Sequence, residues 1–175
     1  MLTPVAHTSG PRKVNESLIR ATALNGKYGS GFKKHSLGAI GEIAFEEISG
    51  LSYDRRIYES CDQGDGGTDF LKGGIVIDVK TALHPINNYL ELLVEDLEDK
   101  NNDANVYVLC STNNLYPVKN EDFTLYLVGY ITKEEFLKYK LHKIIKGNGG
   151  SFRLAPYVRI NRLGPIQDLL QYISE

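Results

Sequence analysis

Cysteine is scarce in this chain, long apolar runs are missing, and neither sign of charge is in large excess. The only cysteines among 175 residues are Cys61 and Cys110. They lie far apart and form no Cys-x-x-Cys pair, so neither a zinc site nor a disulfide framework is expected, and a reducing cytoplasm is the default compartment. No stretch approaches the roughly 20 apolar residues of a membrane span, and residues 1–10 lack the apolar centre of a secretory signal, so no membrane contact is expected. The formal net charge is −2 and the pI about 6.1. No global basic field therefore advertises a polyanionic partner, and any such surface must be a local patch. There is no internal repeat and no low-complexity segment. With 42 % apolar residues the chain can bury an ordinary core, and it reads as a loose tail over residues 1–13 followed by a single domain over 14–175.

The charges that are present are unevenly placed. Residues 1–41 carry six Lys/Arg against one acid, residues 42–103 carry fifteen acids against five bases, and residues 104–175 carry nine bases against six acids. An acidic middle between basic ends suits carboxylates at a centre with phosphate contacts around them. Ordinary solvated faces would give the same tally, so the asymmetry decides nothing alone.

Hydrophobic spacing supplies the elements. Asn15 can cap a short helix ending near Gly26, and Leu37, Ile40, Ala44 and Ile48 mark a stronger helix from about 34 to 49, stopped by Gly50. Strands are expected at about 52–58, 66–72 and 74–82, the last two joined in a hairpin through Lys72-Gly73-Gly74. Further strands are expected at 89–94, 106–110, 124–130 and 152–160. Thr132-Lys133-Glu134-Glu135 has the form of a capping box opening a helix to about Lys140, Gly147 to Gly150 reads as a turn, and Pro165 opens a terminal helix. This order predicts an α/β or α+β sandwich, a central mixed β-sheet flanked by helices.

One strand is chemically odd. In Ile75-Val76-Ile77-Asp78-Val79-Lys80 an acid and a lysine share one face of an otherwise apolar strand, because side chains alternate with period two. Asp69, on the partner strand, would face Asp78. Clustered carboxylates suit a hard divalent cation, and such an ion can neutralise a scissile phosphate and acidify an attacking water. A neighbouring lysine can hold that water or stabilise developing negative charge. Gly64, Gly66 and Gly67 leave room for a close approach by backbone or phosphate. A plain Asp78–Lys80 salt bridge is the bland alternative, worth little at a surface and hard to justify when buried.

Gly41-Glu42-Ile43-Ala44-Phe45 on a helix, Gly66-Gly67-Thr68-Asp69-Phe70, and Ile77-Asp78-Val79-Lys80-Thr81 together resemble, in order and spacing, the PD-(D/E)XK nuclease superfamily with its restriction-endonuclease-like fold. Leu127 to Phe136 is similar to the strand-to-helix segment of small, often phage-encoded members. The resemblance implies that Asp69, Asp78 and Glu42 are metal ligands and Lys80 the catalytic lysine, with Mg²⁺ as cofactor and Mn²⁺ able to substitute. It implies a DNA endonuclease leaving 5′-phosphates and acting in phage or bacterial recombination, repair or DNA degradation. Thr68 stands where the family has its namesake proline, and Asp78 where Glu is commoner; neither change removes a ligand. Helical angle alone does not choose among Glu42, Glu46 and Glu47, and the Gly-Glu-x-Ala resemblance chooses Glu42.

A second acid-x-lysine triplet, Glu98-Asp99-Lys100, lies in a charged run with no apolar strand around it and reads as solvated surface. Asp62 to Gly67 lacks the spacing and final Glu of an EF-hand, and the glycines lack the Lys-Ser/Thr of a P-loop. His7, His35, His84 and His142 show no metal spacing. Lys33, Lys34, Arg55, Arg56, Arg153, Arg159 and Arg162 are candidate phosphate contacts as a group. The expected partner is duplex or branched DNA with RNA left open, and cutting two strands would favour a homodimer. A restriction or homing-type enzyme is the alternative within the class; an inactive nucleic-acid-binding or assembly module is the alternative outside it.

Overall fold

The computed structural model describes residues 2–28, 31–53, 69–95, 102–146 and 151–175. The strand expected at 52–58, the glycines at 64, 66 and 67, Thr68, Cys61, Arg55, Arg56, the 98–100 triplet and the 147–150 turn lie wholly or largely outside these residues.

A five-stranded mixed sheet forms the middle layer. Its strands are β1 (Val5–Ser9), β2 (Phe70–Lys72), β3 (Ile75–Ala82), β5 (Val106–Ser111) and β6 (Phe123–Thr132), in the order β1-β6-β5-β3-β2. β3 and β5 run parallel and every other pair is antiparallel. The connection between the two parallel strands passes through β4 (Glu91–Leu93), which joins β7 (Leu141–Lys146) and β8 (Phe152–Arg159) in a second, antiparallel sheet ordered β4-β8-β7. Four helices are seen among the described residues: α1 (Pro11–Tyr28), α2 (Phe32–Ser49), α3 (Lys133–Tyr139) and α4 (Ile166–Ser174). None of them is long and apolar enough to cross a membrane.

Period-two alternation assigns the two faces of the middle sheet. Val106, Val108 and Cys110 of β5 join Ile77 and Val79 of β3 in the core beneath the long helices, with Ile40, Phe45 and Leu169. Tyr107 and Leu109 instead join Leu92, Val158 and Phe136 in a second core toward the small sheet and α3. β5 is buried along its whole length, as expected for an uninterrupted apolar run covered on both sides. The same alternation leaves Asp78 and Lys80 on the face where the small sheet stands.

The β2–β3 hairpin turns through Gly73 and Gly74, with φ of 57° and 86°. Two successive positive φ values fit the tight hairpin turns that follow strand twist, and glycine adopts them without steric cost. Thr132 caps α3 as expected, its hydroxyl accepting from the Glu135 amide at 3.2 Å and meeting the Glu135 carboxylate at 3.1 Å.

Three elements depart from expectation. The segment read as a loose tail carries β1, paired with β6 from Val5–Leu127 to Ser9–Phe123; its cue is a distant backbone edge, invisible locally. α1 starts at Pro11, not at Asn15. Proline's fixed φ suits a first turn, the Gly10 carbonyl accepts from the Lys13 and Val14 amides, and Asn15 uses its side chain to grip Asn120. β7 was not anticipated, being largely exposed and mixed in character.

Gly41 fixes how closely α2 meets β3. A Cβ there would lie 2.0 Å from Thr81 Oγ1 and 3.3 Å from Thr81 Cβ. Gly41→Ala is expected to cost about 1–3 kcal/mol through overpacking and to lower the melting temperature. Gly41→Ala with Thr81→Ala removes the offending oxygen and should recover most of the loss. Thermal denaturation of the single and double variants checks this; an unchanged Gly41→Ala melt would show that the approach is not tight.

Candidate active site

Asp69 immediately precedes β2, and its amide donates to the Ile77 carbonyl at 3.0 Å, extending the hairpin ladder by one step. Its carboxylate Oδ2 accepts from the Val79 amide at 2.6 Å. The strand that carries Asp78 thereby also fixes Asp69. Both aspartates are almost wholly buried, at 2 % and 3 % exposure. Lys80 Nζ lies 2.7 Å from Asp78 Oδ2, and the lysine side chain is 29 % exposed.

Helix α2 brings the third acid. Lys34, His35, Gly38 and Glu42 recur at helical spacing and line a cleft of about 1130 Å³ that Asp69, Asp78 and Lys80 also line. Glu46 instead accepts from the Tyr53 amide and stands 3.5 Å from Lys13. Glu47 binds His7 and Ser9 beside β1. Of the three helical acids, Glu42 alone lines the cleft.

The close packing permitted by Gly41 places Glu42 against the strand that bears Asp78 and Lys80. Behind it stands Arg20 of α1, a buried cation absent from the sequence-based candidates. Its guanidinium lies 2.6 Å from Glu16 and 3.9 Å from Glu42, and it covers the Tyr53 ring at 4.5 Å. The spacing of Glu16 and Arg20 marks a helical ion pair; nothing in the sequence points from Arg20 to Glu42. Burial pushes the Glu16 carboxyl up, but Arg20 and Lys13 outweigh it and hold the group below its ordinary value. Glu16 is thus a firm anion for Arg20 at neutral pH.

Cys110 lies under the site. Burial raises its thiol far above the ordinary range, and the negative charges of Asp69 and Glu42 raise it further.

Of the candidate phosphate contacts, Lys34 and Arg153 line the cleft. Lys33 lies over the Tyr116 ring and Arg162 over the Tyr139 ring; they and Arg159 lie outside the cleft lining. His35 and His84 are in the lining, as is Lys143, which the sequence reading missed. Its signal would have been a strand at 141–146, since only then does Lys143 share a face with Ile145 and not with Ile144.

Among the described residues, five carboxylates (Glu42, Asp69, Asp78, Glu91 and Glu95) and four cations (Lys34, Lys80, Lys143 and Arg153) line the cleft, with Lys80 against Asp78 and the Arg20 guanidinium between Glu16 and Glu42. Oxygen donors with surplus negative charge suit Mg²⁺ or Mn²⁺ in kind. In the arrangement seen, however, no three His, Cys, Asp or Glu side chains among the described residues gather into a metal cage, and the Lys80 ammonium stands against Asp78. No family model matches the chain, nor does any curated protein or solved structure with which it was compared.

The Cys110 thiol should be inert to Ellman's reagent in the folded protein, since burial and two neighbouring anions suppress the thiolate. In a Cys61→Ser background, reaction is expected only when denaturant is added. Rapid stoichiometric labelling of the native protein would contradict this packing.

Proposed function

We propose that the chain is a Mg²⁺-dependent DNA endonuclease in which Glu42, Asp69 and Asp78 hold the divalent ion and Lys80 serves the attacking water. The observation that carries this reading is the convergence of four side chains, from a helix and both arms of a hairpin, on one cleft. A second consideration is cost. Burying carboxylates carries a penalty of several kcal/mol that their partners only offset. Folds keep such arrangements where chemistry requires them.

The residues divide the work by position. Asp69 and Asp78, tied through the Val79 amide, present carboxylates of fixed separation, and Glu42 closes the set from the helix. When bound, the ion neutralises charge on the scissile phosphate and acidifies the attacking water. Lys80 reaches the open cleft with an ammonium of three donors, suited to orient the water and to hydrogen-bond the oxygen on which charge develops. Water adds at phosphorus and gives up a proton, the P–O3′ bond breaks and the 3′ oxygen leaves as a hydroxyl by taking up a proton, so the products carry a 5′-phosphate and a 3′-hydroxyl, as the family resemblance implies.

Cleavage of single-stranded, duplex and branched DNA with Mg²⁺ or Mn²⁺ tests the proposal. Asp78→Ala and Lys80→Ala should each lower kcat/KM by about 100-fold or more, and Glu42→Gln should do likewise. Glu46→Gln and Glu47→Gln, which lie outside the cleft, should stay near wild type. No cleavage of any form, or full activity in Asp78→Ala and Lys80→Ala, would sink it.

One observation favours a second reading, a nucleic-acid-binding module without catalysis. Among the described residues the acids gather into no metal cage, the Lys80 ammonium lying 2.7 Å from Asp78. Calorimetric titration with Mn²⁺ separates the two. Heat of binding lost in Asp69→Asn supports the enzyme, whereas no binding supports the inactive module.

A further inference from the structure

We propose that the cleft receives an unpaired nucleic-acid strand, gripped by Lys143 and Arg153 on the small sheet and by Lys34 on α2. Tyr89 stacks a base, and Glu91 and Glu95 occupy the cations in the free protein as stand-ins for phosphate. The identity of the ligand rests on the nuclease reading above.

The register of the small sheet is the first support. Lys143 lies opposite Ala155, and Arg153 opposite Ile145, so the two cations share the face of the β7–β8 ribbon that lines the cleft. Each is matched to an acid from the β4 region: Lys143 to Glu91 and Arg153 to Glu95. Lys34, across the cleft on α2, is 3.9 Å from the same Glu95. A carboxylate and a phosphate offer Lys and Arg the same oxygen acceptors. The Arg153 and Lys34 pairs are exposed and worth little in water, and the Lys143 pair is only partly buried, so an incoming phosphodiester can displace the acids.

Tyr89 is the second support. It lines the cleft and is 85 % exposed, so no packing accounts for it. An aromatic face beside side-chain cations that can take phosphates is an arrangement by which single strands are held without sequence preference, because every base has a stacking surface.

Size is the third support. A cleft of about 1130 Å³ is close to the upper range of small-ligand pockets, roughly 300–1,000 Å³. It stands between the middle sheet, α2 and the small sheet among the described residues, with room for a short run of one strand. Two of the candidate phosphate contacts outside it, Lys33 and Arg162, lie over tyrosine rings.

Fluorescence anisotropy with full-length Asp78→Asn protein, which separates binding from turnover, tests this against labelled single-stranded DNA, RNA of the same sequence and duplex DNA across a salt series. The single strand should bind about tenfold tighter than the duplex, the DNA and RNA arms deciding between the two sugars. Lys143→Gln with Arg153→Gln should weaken strand binding and reduce the slope of log Kd against log salt by about 1.4, at roughly 0.7 per phosphate contact. Tyr89→Ala should weaken binding about tenfold at unchanged slope, with Tyr89→Phe retaining affinity. Glu91→Gln with Glu95→Gln should tighten it. Equal affinity for duplex, or affinity and slope unmoved by the Lys143 and Arg153 changes, overturns the inference. Those results beside wild-type cleavage would leave the nuclease reading standing, whereas strand binding as described without any cleavage would refute that reading and keep the channel.

Discussion

Asp69 and Asp78 keep their carboxyl groups almost completely out of water, and the surrounding architecture is arranged around that fact. The hairpin ladder puts one beside the other, the Val79 amide satisfies the first, and Lys80 stands against the second. Each of these contacts offsets part of a desolvation penalty of several kcal/mol. The close approach at Gly41 then adds a third carboxylate, which raises the local negative charge further. A fold selected only for stability would place an apolar side chain at position 78, as it does at 76 on the same face.

Arg20 shows how the third acid is kept. A guanidinium shared between Glu16 and Glu42 and backed by the Tyr53 ring can steady Glu42 without cancelling it. Glu16 stays ionised because its two cationic neighbours outweigh its burial. That linkage has a definite sign. A depressed carboxyl contributes stability above its unfolded value near 4.5, and the contribution is lost as pH falls through the lower folded value. The support behind Glu42 therefore weakens only in acid, well below the pH at which a phosphodiesterase would work.

Much of the middle sheet was legible because it obeys strong local rules. β5 is a bare apolar run, α2 has an apolar stripe with a glycine stop, and the β2–β3 hairpin has the two glycines its turn demands. β1 and β7 were not legible, since neither alternates cleanly and each is specified by a partner strand far away in sequence. The start of α1 was misplaced because Asn15 has the chemistry of a cap but spends it on Asn120, while Pro11 and the Gly10 carbonyl open the helix.

The site was legible for the opposite reason. Asp78 and Lys80 stood out by breaking the pattern of their strand, and places where local rules fail are where function is to be sought. Periodicity could not choose among Glu42, Glu46 and Glu47, because all three lie off the apolar stripe; the choice needed the position of a second strand. The cleft wall was hidden more deeply still. Lys143 and Arg153 become neighbours only once β7 and β8 pair, and their acids come from a region more than fifty residues earlier. Residues that break a local rule can be read from a single chain, whereas residues that acquire meaning only by juxtaposition must wait for the fold. The acid and lysine of β3 belong to the first kind and the cations of the cleft wall to the second.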